Sequence, residues 1–418
     1  MSIVFGIIIG LFVLMLLVVV HELGHFWAAR RSGVEVEEFA IGFLPRAIAW
    51  RKRDGKWRKI DRKDWDKPKG EGYVISLNWL PIGGFCKMKG ESNADKQKGS
   101  FGAASLGGKT KILFGGIAMN LVAAAVVFTV LAWTGMPHFV PGQFTVDGDT
   151  RVEAKPVVIA SVIDWSPATE AGLESGDEII GLGYGCEGAI CEVSVHETSC
   201  VDDVVVTAAE DVTSFNKKYA GELVWLTYLR DGEKRTVEVQ LNEAGSEYLL
   251  GVTMSQEGMP LYRSTWSAPI VGVVTTVQLT GETFKGVGLL LWNLVSGAVM
   301  QVNLNPDVRE EGAANLEQVG DSVAGPVGIV GYIFPAFAST GLTNLAYLAA
   351  IISISLAVMN ILPIPALDGG RWLLIVIYRL RRKELTTEIE ERIVGRAFMV
   401  LIGLIVIITV LDVTRFFK

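Results

Sequence analysis

Residues 3–25 read IVFGIIIGLFVLMLLVVVHELGH, an apolar run that leads directly into His21-Glu22-Leu23-Gly24-His25. Apart from Gly6 and Gly10, every residue from Ile3 to Val20 is aliphatic, Phe or Met. A helix of this length spans roughly 27 Å, close to the hydrocarbon core of a bilayer. A secretory signal peptide is the rival interpretation, but no Lys or Arg precedes the run and no small-residue cleavage site follows it. Residues 1–25 are therefore predicted to form a transmembrane helix.

The rest of the chain continues this membrane character. Half of the 418 residues are hydrophobic and the mean hydropathy is +0.38, which is high for a soluble protein. Three further apolar runs predict membrane spans at 112–135, 342–367 and 397–414. A fourth run, within 263–305, is interrupted by Gln278, Glu282 and Lys285 along one helix face, which favours an amphipathic helix in the membrane interface over a span with a polar stripe. The predicted fold is a mainly α polytopic membrane protein with four transmembrane helices.

Charge is unevenly divided between the loops. Segment 26–111 is rich in Lys and Arg, whereas the loop after the second span is acidic, so the former and the loop 368–396 are expected on the cytoplasmic side. Arg415 and Lys418 depart from this pattern. The basic run Arg51 to Lys69 predicts a solvated or headgroup-binding face, and not a nucleic-acid site.

Cysteine usage agrees with this sidedness. Cys186, Cys191 and Cys200 lie together in the loop assigned to the outside, where one disulfide could form and leave one thiol over. Cys86 lies elsewhere and is expected to be a packed thiol.

The His-Glu-x-x-His pattern predicts a metal site. His21 and His25 are four residues apart, so on a helix both imidazoles project from one face and can bind one ion. Glu22 is placed to take a proton from water activated by that ion. Two packing histidines beside a surface glutamate are the alternative, but ionisable groups at the end of an apolar helix are costly unless they have a function. Zinc suits an imidazole and carboxylate donor set best.

A third ligand is expected from the far end of the chain. Asp368 follows the apolar run that ends Asn360-Ile-Leu-Pro363-Ile-Pro-Ala-Leu, and it precedes two glycines; Asp412 is the other acidic candidate in the late apolar runs. The two prolines should break the helix before Asp368. His25 and Asp368 can meet only if the first and third spans run parallel, with the second span between them. A single crossing must therefore lie between these two spans, and the run within 263–305 cannot cross as well. The prediction is four spans and not five.

The loops carry two β-rich patterns. Alternating residues at Glu38–Trp50 and Gly72–Lys89 predict a small sheet on the inner side, with a turn at Pro81 to Gly84. Residues 150–256 predict an extracytoplasmic α+β domain, with strands at 157–163, 223–230 and 234–241 and a hairpin at Asp231-Gly232. This pattern is similar to a PDZ domain, which can bind an extended peptide by strand addition or act as a filter. Its Cys-containing insertion is not needed by that pattern.

Together, the His21 to His25 motif, the Asn360 to Gly370 segment and the outside loop with Ser166-Pro167-Ala168 and Gly176-Asp177 resemble the site-2 protease family of intramembrane metalloproteases (peptidase family M50). The bacterial regulator of sigma-E protease is a similar subgroup. The resemblance covers nearly the whole chain. The second span keeps Gly116 and Asn120 but lacks the usual proline, and only one PDZ-like unit is evident.

The resemblance implies residue roles, a substrate class and a location. It implies that His21, His25 and Asp368 bind Zn²⁺ and that Glu22 is the catalytic base. It also implies that Asn360 and Pro363 lie near the substrate, while Asn120 is either a polar contact there or joins two helices. The implied substrates are transmembrane segments of single-pass proteins in a bacterial cytoplasmic membrane, such as an anti-sigma factor or a leftover signal peptide. The β-rich inner loop would be associated with that membrane.

Two functions of other classes remain possible at this stage. One is a zinc-binding membrane scaffold or transporter without hydrolysis, and the other is a peptide-binding adaptor that works through residues 150–256. Glu22 favours the protease, because a structural zinc site needs no base beside it.

Overall fold

A computed structural model describes residues 3–53, 55–61, 72–137, 142–153, 156–185, 201–246, 248–256, 260–303, 305–322 and 325–416. The helices are α1 (Ile3–Arg31), α2 (Leu106–Thr134), α3 (Pro167–Glu170), α4 (Ala209–Lys218), α5 (Ala268–Met300), α6 (Pro306–Ser322), α7 (Pro326–Gly328), α8 (Phe334–Ser339), α9 (Leu342–Ile361), α10 (Asp368–Leu380) and α11 (Thr387–Phe416). The strands are β1 (Val36–Arg53), β2 (Lys56–Lys59), β3 (Val74–Met88), β4 (Met136–Pro137), β5 (Arg151–Glu153), β6 (Val157–Val162), β7 (Glu178–Tyr184), β8 (Asp202–Val205), β9 (Leu223–Arg230), β10 (Glu233–Gln240), β11 (Val252–Gln256) and β12 (Leu261–Arg263).

The chain forms two compact units. The first consists of Met1–Val130 with Pro269–Lys418, and the second of Leu131–Ala268. The first unit carries the apolar helices and the sheet β2-β1-β3, and the second carries the remaining strands. The mainly helical architecture with apolar, membrane-capable helices and separate sheets is thus confirmed.

The number of membrane-capable helices differs from the predicted four. Among the described residues, five helices are long and apolar enough to cross a membrane by length and composition: α1, α2, α5, α9 and α11. The additional one is α5, which the sequence placed in the membrane interface. It is continuous over 33 residues, and the apolar residues around Gln278, Glu282 and Lys285 are numerous enough to qualify it. Length and composition alone therefore do not select four.

Helix α1 is packed closely on two sides. Glycines 6 and 10 face a short helix that runs from α7 through a π-helical turn (Ile329–Ile333) to α8. A Cβ on Gly6 would lie 2.5 Å from Pro335 Cα, and one on Gly10 would lie 2.8 Å from the Phe334 ring. A Cβ on Gly24 would lie 2.1 Å from the carbonyl oxygen of Gly115 in α2. Small residues thus allow close helix contact where lipid provides no hydrophobic driving force.

The third apolar run ends earlier than predicted. Helix α9 stops at Ile361, and α10 begins at Asp368, so the predicted span 342–367 is too long by six residues. The cause is the one that the sequence indicated, because Pro363 and Pro365 cannot continue the helix. The break therefore starts six residues sooner, and residues 362–367 form the connection.

The sheet β2-β1-β3 lies within segment 26–111, where the sequence predicted it, and the turn predicted at Pro81 to Gly84 is confirmed. Ile41 of β1 pairs with Gly84 on one side and with Leu77 on the other, so the two halves of β3 flank the same part of β1. The chain therefore reverses direction between these halves. Gly83 lies in this reversal and has a φ of 74°, which glycine adopts readily in a turn.

The second unit is built around a six-stranded sheet. The order is β10-β9-β7-β6-β11, with β8 also paired to β7. The predicted hairpin is confirmed: Arg230 pairs with Glu233, and both Asp231 and Gly232 have positive φ. Arg230 makes a two-pronged contact with the buried Asp177 through Nε and Nη2, each 2.7 Å from a carboxylate oxygen. The insertion with Cys186, Cys191 and Cys200 lies outside the described residues.

Candidate metal centre

Three side chains from distant parts of the chain converge in the first unit. The Nε2 atoms of His21 and His25 are 3.1 Å apart. Oδ2 of Asp368 lies 3.2 Å from the first and 3.3 Å from the second. The helical spacing in α1 aligns the two imidazoles, and the N-terminus of α10 supplies the carboxylate.

The fold brings Asp368 to this position through its two following glycines. A Cβ on Gly369 would lie 2.1 Å from the carbonyl oxygen of Ile361, and one on Gly370 would lie 1.9 Å from that of Ile364. Only glycine therefore allows the start of α10 to fold back on the end of α9. The Asn360 to Gly370 segment thus positions the acid by backbone packing, beyond the helix break that the prolines provide.

Helix α2 supports both imidazoles. His25 Nδ1 donates to the carbonyl oxygen of Ile112 at 2.8 Å, which leaves Nε2 as the lone-pair donor for a metal. The side-chain amide of Asn120 lies 3.3 Å from His21 Nδ1 through Nδ2, and its buried Oδ1 has no partner in the described structure. A rotation of the amide that exchanges its N and O would place Oδ1 against His21 Nδ1–H and satisfy both groups.

The donor set fits a zinc ion. Tetrahedral zinc with bonds of about 2.0–2.1 Å has donor atoms about 3.3 Å apart, close to the three separations in this cluster. Gly116 of α2 keeps this space open, because a Cβ there would lie 2.7 Å from both Nε2 atoms. Although burial opposes ionisation, hydrogen bonds with His21 and His25 hold the pKa of the Asp368 carboxyl well below its usual range, so the acid is an anionic donor.

Glu22 lies beside the three donors. One of its oxygens is within 4.8 Å of the imidazole nitrogens of His21 and His25. Oε2 accepts a hydrogen bond of 2.9 Å from the backbone N–H of Cys86 in β3. Burial raises the pKa of the Cys86 thiol, which is unpaired as predicted and remains protonated. The sheet therefore orients the glutamate through a backbone amide and not through the thiol.

The other predicted site residues lie in different surroundings. Asn120 touches His21, as described above. Asn360 donates its side-chain N–H to the carbonyl oxygen of Leu356 within α9, and Pro363 is exposed in the connection after α9. Within the part of the chain that the structure describes, neither of these two side chains forms a hydrogen bond or ion pair with the cluster. Asp412, the other acidic candidate, accepts hydrogen bonds from the backbone N–H groups of Gly325 (3.2 Å) and Gly328 (2.8 Å). Its carboxylate is thus bound to these groups and not to the histidines that Asp368 contacts.

Three supporting groups were missed by sequence reasoning. Ile112 and Cys86 act through backbone atoms, which leave no side-chain signal. Gly116 had a signal, because paired glycines inside an apolar helix indicate that another group approaches the backbone closely.

Comparison with known proteins agrees with this geometry. The profile of peptidase family M50 matches residues 9–60 and 65–404. The chain belongs to this family. A relative from Clostridium perfringens, named a zinc metalloprotease, is 28% identical over 407 residues, covering 97% of this chain and 98% of the relative. A Nostoc protein with a similar name is 28% identical over 411 residues, covering 96% and 94%. The membrane metalloprotease ARASP of Arabidopsis thaliana is 28% identical over 409 residues, covering 96% and 77%. This M50 chain is therefore a zinc metalloprotease.

Proposed function

We propose that this chain is an intramembrane protease that hydrolyses peptide bonds in the transmembrane segments of single-pass membrane proteins. In this proposal His21, His25 and Asp368 hold the zinc and Glu22 is the catalytic base. The observation that carries it is the convergence of two imidazoles and one carboxylate, with Glu22 beside them, at the ends of apolar helices. A zinc site among membrane-capable helices would have the peptide bonds of transmembrane segments within reach.

Bound zinc supplies a Lewis acid that acidifies water and polarises a carbonyl group. The chain supplies the proton transfers. Glu22 takes a proton from the attacking water and returns it to the nitrogen of the departing amine. The Cys86 N–H holds one carboxylate oxygen, which leaves the other free for the proton. The Ile112 carbonyl oxygen orients the imidazole of His25, and the Asn120 side chain orients that of His21.

The sheet β2-β1-β3 suits a substrate that must unwind. A transmembrane helix hides its carbonyl groups in intrahelical hydrogen bonds, so cleavage requires a locally extended backbone. Residues 84–88 of β3 lie at an edge of this sheet, and Cys86 among them contacts Glu22. An unwound segment can pair with such an edge. At the bend of the sheet, Phe43, Leu44, Trp79 and Leu80 expose about half or more of their surface, which favours insertion of this end into the membrane.

The proposed topology has four spans, with α5 in the interface and the metal centre near the cytoplasmic side. Support comes from the contact between His21 and Asp368, because it requires α1 and α9 to end on the same side. In this proposal α2 crosses back between α1 and α9. A further full crossing by α5 would make α9 run opposite to α1, and the two helices would then end on opposite sides. The proposed location is a bacterial cytoplasmic membrane, with the second unit outside, in agreement with the basic inner loops.

For the second unit we propose a PDZ-like domain that selects substrates. β11 is the last strand in the order β10-β9-β7-β6-β11 and pairs with β6, and α4 contacts β11. A groove between an edge strand and a helix can accept an added peptide strand. Deletion of residues 150–256 separates selection from chemistry. A filter predicts retained or broadened cleavage, whereas loss of all function would favour an adaptor that works through this domain alone.

The decisive test of the protease is the substitution Glu22→Gln. The amide keeps an acceptor for Cys86 N–H but cannot take a proton, so zinc content should stay unchanged. Cleavage of a reconstituted transmembrane substrate should fall by about 10²–10⁴-fold. Glu35→Gln, an exposed acid in the same unit, is the matched control. Unchanged turnover by Glu22→Gln would remove the proposed function.

A further inference from the structure

A second site lies in the first unit, between the N-terminus of α2 and the end of α10. It is a cavity of about 430 Å³, bounded by residues 93–106 on one side and 375–386 on the other. Four cationic side chains line it, namely Lys96, Lys109, Arg379 and Lys383, against one acidic side chain, Glu384. None of the proposed catalytic groups takes part in it.

Lys109 is the most informative of these cations. The residue is only 6% exposed, and its Nζ donates to two neutral oxygens, the side chain of Asn93 and the backbone carbonyl of Gly102 (2.9 Å). The ring of Phe101 lies 5.6 Å away. A buried ammonium group normally has an anionic partner, because desolvation of an unpaired charge is costly. An anion in the cavity would provide that partner.

The nearest buried acid is occupied elsewhere. Glu390 accepts a hydrogen bond from the backbone N–H of Asn93 at 2.9 Å and another from Ser92, and it lies 3.5 Å from Arg371. It therefore attracts Lys109 from a distance without pairing with it. The charge in the cavity remains largely uncompensated.

The other three cations also line the cavity. Lys96, Arg379 and Lys383 are exposed, and none of them forms an ion pair with any residue that the structure describes. Exposed lysines alone indicate only a solvated surface. Here, however, like charges from two separate segments line one cavity, and a bound anion would relieve their mutual repulsion.

The start of α2 adds a further source of positive potential. Ser105 and Leu106 line the cavity at the N-terminus of α2, where the helix dipole is positive, although the Ser105 hydroxyl already accepts a hydrogen bond of 3.1 Å from Gly108 N–H. A Cβ on Gly107 would meet nothing within 4 Å, so the backbone of the first turn is accessible. The apolar part of α2 begins at Ile112, one turn after Lys109, which places the cavity at the level of lipid headgroups.

We propose that this cavity binds a phosphate-bearing anion, either the headgroup of an anionic phospholipid or a free phosphate compound. The two walls also carry the metal centre, since α2 holds His25 through Ile112 and α10 begins with Asp368. Trp372 Nε1 donates to Thr110 Oγ1 at 2.8 Å and joins the two walls. A bound anion would therefore add a second interaction between α2 and α10, the two helices that position the metal ligands.

Calorimetric titration of the full-length protein in a neutral detergent tests the proposal. The probes are inorganic phosphate, dioctanoyl phosphatidylglycerol and dioctanoylglycerol, which has the same chains without phosphate. The test variant is K96Q/K383Q, and the matched control is K98Q/K111Q, which removes the same charge from exposed lysines outside the cavity. All four side chains are exposed, so folding should be unchanged, and Arg379→Gln provides a second variant.

The wild type should bind at least one phosphate probe, and K96Q/K383Q should weaken that binding by about tenfold or more while the control does not. Binding of phosphatidylglycerol without binding of inorganic phosphate assigns a lipid headgroup, and binding of both with similar affinity assigns a free phosphate. The proposal is overturned if neither phosphate probe binds, if dioctanoylglycerol binds as tightly as the phospholipid, or if the two double variants behave alike.

Discussion

The carbonyl oxygen of Ile112 accepts a hydrogen bond from Nδ1 of His25 at 2.8 Å, so helix α2 sets the orientation of a metal-binding imidazole on α1. The contact fixes the tautomer in which Nε2 faces the other donors. α2 is therefore more than an apolar, membrane-capable helix. It forms one wall of the metal centre, together with Gly116 and Asn120.

Gly116→Ala should damage the centre by steric pressure alone. The added Cβ would lie 2.6 Å from His21 Cε1 and 2.7 Å from both Nε2 atoms, so the imidazoles must move. We expect zinc affinity to fall by about 10–100-fold, as for loss of a supporting contact. Competition with a chromogenic chelator measures this.

Gly108→Ala is the matched control for that substitution. It lies on the same helix and gains the same helix propensity, but its Cβ would make only ordinary contacts at 3.4–3.6 Å. Equal zinc affinity of the two variants would show that Gly116 does not border the metal.

Substitutions of Asn120 distinguish its two possible orientations. If Oδ1 accepts from His21 Nδ1–H, Asn120→Asp keeps an acceptor and should retain zinc, whereas Asn120→Leu should lose about 10–100-fold in affinity. If Nδ2 is the group that matters, both variants lose zinc alike. Zinc affinity and cleavage rate of the three proteins decide between these outcomes.

Asp412→Ala should lower stability without removing zinc. The substitution leaves the N–H groups of Gly325 and Gly328 without their acceptor, at a cost of about 1–3 kcal/mol for each buried donor. Asp412→Asn keeps one acceptor oxygen and should recover part of the loss. Thermal unfolding in detergent and zinc content are the measurements. A zinc-free Asp412→Ala protein would instead assign this acid to the metal.

Gly10→Leu should weaken the packing of α1 on the helix that contains Phe334. There is no room for the side chain, because a Cβ alone would lie 2.8 Å from the Phe334 ring. Overpacking of this kind costs about 1–3 kcal/mol. Gly403→Leu, where a Cβ would meet nothing within 4 Å, is the control, and an equal decrease in unfolding temperature would contradict the contact.

Much of this arrangement could be predicted from residue patterns. Hydropathy located the apolar helices, and the spacing of His21 and His25 located the first two donors. Asp368 followed from its prolines and glycines, because these residues restrict the backbone in ways that the sequence shows. The hairpin at Asp231-Gly232 was found for the same reason.

The remaining features depend on contacts that a sequence does not display. The turn at Pro81 to Gly84 could be predicted, but the pairing of Ile41 with both Gly84 and Leu77, which places the two halves of β3 on either side of β1, could not. α5 qualifies as a span by length, although Gln278, Glu282 and Lys285 favoured the interface. The roles of Ile112 and Cys86 belong to their backbone atoms and require the fold itself.

X-ray absorption at the zinc edge, with metal analysis of the purified protein, tests the central claim most directly. The account predicts one zinc per chain, surrounded by nitrogen and oxygen at about 2.0–2.1 Å, including two imidazoles. It also predicts loss of that zinc in Asp368→Ala and its retention in Glu22→Gln. A sulfur neighbour at about 2.3 Å, as expected for Cys86 as a ligand, or full zinc occupancy in Asp368→Ala would contradict it.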